Sequence, residues 1–120
     1  KFAWAELLRR QDRRADAVKL YKELASDVRT KEGSAAAYYV LEDVFAGGDM
    51  DKAEKAIFAY SEREPQAYWL AKAFILLGDV YVRKGDNFQA RATYQSVADG
   101  YSPADDGIVA EAKERIAKLN

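Results

Sequence analysis

The sequence predicts an all-α protein built from helical hairpins. Strong helix formers such as Ala, Leu, Lys, Glu and Arg are abundant among its 120 residues, whereas Pro occurs only twice. Apolar residues recur at helical spacing along most of the chain. Gly-Asp pairs interrupt this spacing at Gly48-Asp49 and Gly85-Asp86, and glycine tolerates the left-handed backbone that ends a helix. These observations predict helices that are joined by short turns.

Length and composition predict a single globular domain over residues 1–120. The chain is 49% hydrophobic and 32% charged, which is typical of a globular protein rather than a disordered one. Its apolar runs are far too short to cross a bilayer, so we expect no membrane insertion by this segment. Because the chain begins at Lys1 rather than Met, we expect a processed protein or an excised domain, with any targeting segment upstream.

The clearest hairpin lies between residues 68 and 101. Leu77-Gly78-x2-Tyr81 is followed there by Ala90-x3-Tyr94, and this order resembles the tetratricopeptide repeat (TPR) signature W-x2-L-G-x2-Y…A-x3-F…P. Phe74 stands where the family has its Trp, Tyr94 where it has Phe, and Pro103 one residue later than the closing Pro. Two helices approach closely only where side chains are small, which accounts for the glycine and the alanine. The resemblance implies a right-handed α-solenoid.

The alanine and its large partner occur three times, which predicts about three hairpins and a C-terminal capping helix. Ala17, Ala53 and Ala90 are 36 and 37 residues apart, slightly more than the usual TPR period of about 34. We expect hairpins over residues 2–29, 34–63 and 66–101 and a capping helix over 104–119. In the capping helix, Leu119 should lie on the apolar side and Lys118 should face water. The residues expected to define the packing of the repeats are Ala17, Tyr21, Leu41, Ala53, Ile57, Phe74, Leu77, Gly78, Tyr81, Ala90 and Tyr94.

Polar residues next to the turns predict where individual helices begin. Ser34 is an expected N-cap, and Asp51 with Glu54 has the spacing of a capping box. Asp105 and Asp106 would place negative charge at the start of the last helix, where the helix dipole favours it. This interpretation also accounts for the closely spaced carboxylates, which we take as helix caps rather than as catalytic pairs.

Several features between Ser34 and the end resemble a subgroup of bacterial envelope TPR proteins, of the TolA-binding coordinator and outer-membrane-assembly lipoprotein type. They are Ala37-Tyr38-Tyr39, the Gly-Asp turns, and the segment from Val97 to Pro103 with the alanine-rich helix after it. The resemblance implies a periplasmic or outer-membrane-associated location in a bacterium, and a cytoplasmic location stays open.

The composition argues against an enzyme. Without His or Cys, the chain can form neither a serine–histidine triad, nor a cysteine–histidine pair, nor the usual zinc site. We therefore expect no catalytic residue, metal or cofactor. The formal net charge of −1 gives no global attraction to nucleic acid, and a short run of arginines from Arg9 to Arg14 is interpreted as a solvated helix end.

The TPR resemblance implies that a protein or peptide binds the concave face, which the first helix of each hairpin forms. The candidate residues on this face are Phe2, Glu6, Arg9, Tyr38, Glu42, Phe45, Lys72, Ile75, Asp79 and Arg83. Glu42 and Asp79 replace the asparagine of the carboxylate clamp found in some TPR proteins, which argues against that mode of binding. The alternative is that Tyr38, Phe45 and Ile75 pack between repeats.

Three functional hypotheses follow. The first is a non-enzymatic scaffold that binds a protein segment of mixed charge on its concave face. The second is a structural spacer or a self-associating segment of a larger envelope TPR protein. The third is a glycan-binding accessory domain that uses Tyr68 and Trp69, two residues that we otherwise expect to pack at the join between hairpins.

Overall fold

A computed structural model describes residues 14–24, 27, 29–103 and 105–119, and this part of the chain contains helices and no strand. The expected all-α fold is thereby confirmed. The expectations for Phe2, Glu6, Arg9 and the first helix of the first hairpin lie outside the described residues. The described helices are α1 (Arg14–Leu24), α2 (Lys31–Ala46), α3 (Met50–Glu62), α4 (Ala67–Arg83), α5 (Asn87–Gly100) and α6 (Ile108–Lys118).

The helices form two layers. Each helix from α1 to α6 packs against the next one in the chain, and α4 also contacts both α2 and α6. The helices α2, α4 and α6 therefore lie side by side in one layer, which we call the inner layer, and α1, α3 and α5 lie behind it. The molecule measures 40 × 31 × 27 Å.

The core lies between the layers. On the α1, α3 and α5 side, Tyr21, Ile57 and Tyr94 are each about 1% exposed, and the alanine four residues before each of them is also buried. The small residue lets the neighbouring helix approach closely, while the large residue fills the space beside it. The alanine and its large partner are thus buried at all three places in the chain.

Gly48 and Gly85 lie in the turns that follow α2 and α4, where the sequence predicted the helices to end. Both have a positive φ, 92° and 81°, a conformation in which a side chain would be strained. After Gly85, the Asp86 amide donates a hydrogen bond back to the Tyr81 carbonyl, at 2.9 Å. This bond satisfies a helix-end carbonyl that would otherwise lack a partner.

The start of α2 differs from the prediction. Ser34 was expected to be its N-cap, but the helix begins at Lys31 and Thr30 is the cap, with its Oγ1 accepting a 2.9 Å hydrogen bond from the Gly33 amide. The Thr30 hydroxyl also donates to the Asp27 carbonyl at 3.0 Å. Both residue types can cap a helix, so local sequence did not decide between them.

The start of α3 also differs from the prediction. Asp49 caps this helix by accepting from the Lys52 amide at 3.1 Å, so Asp51 and Glu54 do not form the expected capping box. Their carboxylates instead bind Lys84 Nζ, at 2.6 and 2.7 Å. The lysine follows α4, so a long-range ion pair ties the end of α4 to α3.

The last helix begins four residues later than the expected residue 104. Its N-cap is Gly107, and Asp106 Oδ1 accepts from the Ile108 amide at 3.2 Å. The expectation of a carboxylate at this helix start is therefore met by Asp106. The same carboxylate also accepts from the Tyr101 hydroxyl.

Ser34 joins two hairpins rather than capping one. It is fully buried, and its Oγ accepts a 3.0 Å hydrogen bond from the Gln66 amide at the start of α4. Its carbonyl accepts from the Tyr60 hydroxyl at 2.8 Å. Through this one residue, the start of α2 is linked to the end of α3 and to the start of α4.

We expect Ser34→Ala to lower the free energy of unfolding by about 1 kcal/mol, because the Gln66 amide loses its acceptor. Urea unfolding followed by far-ultraviolet circular dichroism measures the change. Ser96→Ala is the matched control, because its hydroxyl is exposed and only donates to the Thr93 carbonyl within α5. An equal loss in both variants would contradict the role assigned to Ser34.

Candidate partner-binding groove

The inner layer brings together the candidate residues of the second and third hairpins, but with unequal exposure. Arg83 is exposed, whereas Glu42, Phe45, Lys72 and Asp79 are half-buried. Tyr38 and Ile75 are only 6% and 2% exposed. These two side chains therefore lie in the packing between helices, as the alternative interpretation proposed for them.

Tyr38 lies at the centre of this layer. Burial raises the pKa of its hydroxyl, and the neighbouring Glu42 carboxylate raises the pKa further. Lys72 Nζ lies 5.8 Å from the centroid of the Tyr38 ring, a distance at which a cation is attracted to an aromatic face. The two predicted site residues Tyr38 and Lys72 thus contact each other.

Asp79 is committed to contacts within the protein. Its Oδ1 accepts a hydrogen bond from the Tyr94 hydroxyl, which reaches it from α5, and another from Arg115 Nε of α6, at 3.1 Å. The Asp79 and Arg115 side chains are 24% and 32% exposed. A carboxylate that binds two donors from two other helices holds three helices in register.

A groove opens between the last turns of α2, α4 and α6, and we call it the end groove. It has a volume of about 310 Å³. Its apolar lining comes from Phe45, Val82 and Leu119. Its polar lining comes from Asp79, Arg83, Tyr94, Arg115 and Lys118. Three of the residues predicted for the concave face, Phe45, Asp79 and Arg83, therefore meet at one site.

Sequence reasoning missed the rest of the end groove. It assigned Lys118 to a water-facing side, which its 66% exposed side chain fits, but the same side chain also borders the groove. Leu119 was expected only on the apolar side of the last helix, and Val82 and Arg115 were not singled out. Their shared position in the last turns of α4 and α6 was the available signal, but it becomes informative only once these helices are known to lie side by side.

The charges of the end groove are mostly positive, because three cations and one carboxylate line it. The carboxylate, Asp79, is paired with Arg115. Lys118 pairs with Glu114 one turn earlier at 3.1 Å, but both side chains are more than 60% exposed, so this pair is weak. Arg83 has no carboxylate within 4.0 Å among the described residues; its Cζ lies 5.3 Å from the Phe45 ring centroid.

Aromatic side chains from α1, α2 and α4 form a row. Successive ring centroids are 4.9 Å apart from Tyr21 to Tyr39, 5.7 Å from Tyr39 to Trp69 and 5.1 Å from Trp69 to Tyr68. Trp69 also contacts Tyr38, at 5.6 Å. Trp69 thus packs α4 against α2, and Tyr68, which is 36% exposed, is the outermost ring of the row.

A larger hollow of about 460 Å³ lies elsewhere, between α1, α2 and α3. Its lining is mainly apolar, with Lys22 and Arg63 as its charged residues. It contains none of the residues that we predicted for the partner-binding face. We therefore treat the end groove, although smaller, as the candidate functional site.

Because several tyrosines are buried, we expect the protein to lose stability at high pH. Burial is the main cause that raises the pKa of Tyr38, Tyr60 and Tyr94, and it raises the pKa of Tyr81 to about 12. An unfolded chain releases these protons near the ordinary pKa of about 10, so the contribution to stability is complete below that pH and is lost as the pH rises above it. We expect these four tyrosines to contribute tyrosinate absorbance at 295 nm only as the helical circular dichroism is lost. Ionisation of all four with the helices intact would contradict this.

In the described part of the chain, no helix is long and apolar enough to cross a membrane. Comparison with known proteins gives no match to a family model, to a curated protein or to a solved structure.

Proposed function

We propose that this chain is a non-enzymatic TPR-type scaffold that binds a peptide or protein segment on its inner layer. Two features support a right-handed TPR solenoid. One is the two-layer order, in which α4 contacts both α2 and α6. The other is the close fit of Gly78 against the Tyr94 ring, which puts the small and large residues of the repeat signature in contact.

The end groove is the observation that carries the proposed binding function. An apolar floor bordered by cations is a suitable site for a partner segment, because an apolar side chain can be buried while charged neighbours set its orientation. The inner layer also presents a side chain from each of its three helices at this one place. The resemblance to envelope TPR proteins supports a location in the bacterial envelope as part of the same proposal.

Introducing a charge into the groove tests this proposal. We expect Val82→Glu to reduce the recovery of co-purified partners from cells of the source organism by about tenfold or more, because a carboxylate would have to be buried in the apolar part of the interface. Val82 is 38% exposed, so the substitution should not unfold the protein, and circular dichroism checks this. Quantitative mass spectrometry measures the recovery.

Ala92→Glu is the matched control, because it adds the same charge at an exposed position of α5. We expect it to recover partners at the wild-type level. Unchanged recovery with Val82→Glu, or an equal loss with both variants, would contradict binding at the end groove.

A further inference from the structure

We propose that the end groove binds an acidic segment of a partner protein, in which side-chain carboxylates flank one large apolar residue. This inference rests on the proposed function and adds the chemistry of the ligand. The groove has two chemically distinct parts, an apolar floor and a cationic border, and each part selects one feature of such a segment.

The floor selects the apolar residue. Phe45, Val82 and Leu119 line it, one side chain from the last turn of α2, one from that of α4 and one that follows α6. Phe45 and Leu119 are only half-buried, and Val82 is exposed, so each has apolar area that remains in water. Covering this area with a leucine or phenylalanine side chain stabilises a complex by removing apolar surface from water.

The border selects the carboxylates. Arg83 Cζ lies 5.3 Å from the Phe45 ring centroid, and its guanidinium carries N–H groups that can donate to a carboxylate. Lys118 supplies a second cation, held only by a weak exposed pair with Glu114. Asp79 does not cancel these charges, because it already binds Arg115 and the Tyr94 hydroxyl.

The carboxylates should come from side chains rather than from the C-terminus of the partner. The groove is built at the C-terminal ends of helices, which present backbone carbonyls and a partial negative charge. A terminal carboxylate is commonly held by backbone N–H groups, and these helix ends offer few of them. The anions must instead reach the charged ends of Arg83 and Lys118 at the groove border. Glu and Asp side chains on both sides of an apolar residue can do so.

The deeper part of the inner layer limits where the anions can bind. The Glu42, Asp79 and Glu111 carboxylates act on the Tyr38 hydroxyl, and the cations beside them are already engaged, Lys72 with the Tyr38 ring and Arg115 with Asp79. Like charges close together are unfavourable. An acidic segment should therefore occupy the groove border near Arg83 and Lys118 and avoid the centre of the layer.

Fluorescence anisotropy with the full chain tests the inference. The probe is a fluorescein-labelled peptide, acetylated and amidated, with the sequence Glu-Glu-Phe-Glu-Glu. We expect it to bind the wild-type protein, and we expect Arg83→Gln and Lys118→Gln each to weaken binding by about three- to tenfold, since each removes one partly exposed cation. We also expect affinity to fall as salt is added, because exposed charges are screened.

Lys113→Gln is the matched control, because it removes the same charge from an exposed position of the same helix, α6. It should leave the affinity unchanged. The peptide with Ala in place of Phe, and the peptide with Lys in place of Glu, should both bind more weakly. The inference is overturned if Lys113→Gln weakens binding as much as the groove variants, if the lysine peptide binds as well, or if the acidic peptide does not bind.

The peptide-binding test and the Val82→Glu test of the proposed function can fail independently of each other. If Val82→Glu abolishes partner recovery while the acidic peptide fails to bind, the groove is a partner site with a different ligand chemistry. If Val82→Glu changes nothing, the proposed function itself fails. Circular dichroism of every variant establishes that differences in binding do not come from unfolding.

Discussion

Gly78→Ala should lower the free energy of unfolding by about 2 to 3 kcal/mol, because the added methyl group would overpack a filled core. A Cβ at this position would lie 2.2 Å from Cε1 of Tyr94. The ring cannot easily move away, since Tyr94 is 1% exposed and its hydroxyl binds Asp79. In an open helix the same substitution would stabilise by up to about 1 kcal/mol, so the sign of the change is diagnostic. Urea unfolding followed by circular dichroism measures it.

Gly100→Ala is the control for this prediction. Gly100 is also helical, but a Cβ there would meet nothing within 4 Å, so we expect no loss of stability. A double-mutant cycle with Tyr94→Leu adds a second check, because a smaller partner should make the cost of Gly78→Ala smaller. Equal effects of the two glycine substitutions would contradict the close packing of α4 against α5.

Asp79→Ala should lower the free energy of unfolding by about 2 to 3 kcal/mol, because it removes the acceptor for two donors at once. The Tyr94 hydroxyl and Arg115 Nε would both lose their partner, and hydrogen bonds that involve a charged group contribute more than neutral ones. Thermal unfolding and urea unfolding measure the loss. Asp79→Asn, which keeps an acceptor at the same place, should cost less.

Asp99→Ala is the matched control for Asp79, because Asp99 is exposed and accepts only from Gln95 one turn earlier in α5. Its loss should change stability by less than about 0.5 kcal/mol. If Asp79→Ala were equally harmless, the carboxylate would not hold α4, α5 and α6 together, and a direct role in partner recognition would become the better interpretation of this residue.

The features of the fold that could be predicted are those encoded by residues close together in the sequence. The spacing of Ala90 and Tyr94 placed both residues on one helix face, and an apolar helix face is the one that becomes buried. The Gly-Asp turns were also predictable, because few residues other than glycine adopt a positive φ without strain. The helix starts at Thr30 and Asp49 were not, since several capping residues lie close together in each segment.

The candidate site could be predicted only in part, because it is assembled from distant residues. The contact of Asp79 with Arg115 spans 36 residues, and the sequence gives no signal that pairs these two among many charged residues. Arg83 and Phe45 were both predicted on the concave face, yet the approach of the Arg83 guanidinium to the Phe45 ring depends on how α4 packs against α2. Tertiary packing therefore decided which of the predicted residues line the groove.

The same packing separates structural roles from roles in recognition. Tyr38, Ile75 and Asp79 were all candidates for partner binding, but the first two are buried and the third is bonded within the protein. Phe45 and Arg83 keep groove-facing surface, and Val82 and Lys118 join them. We therefore propose a role in recognition for the end groove and a role in stability for the residues beneath it.

Site-specific photo-crosslinking tests whether a partner protein binds the end groove. A p-benzoylphenylalanine probe replaces Phe45, where it keeps an aromatic ring at the groove, and a control probe replaces Gln95, which is exposed on α5. After irradiation of cells that express each variant, mass spectrometry identifies the adducts. We expect a discrete adduct with a partner protein from position 45 and none from position 95, and an acidic crosslinked segment would also support the proposed ligand chemistry. Adducts only between copies of this chain, or no adduct from either position, would contradict a partner-binding groove.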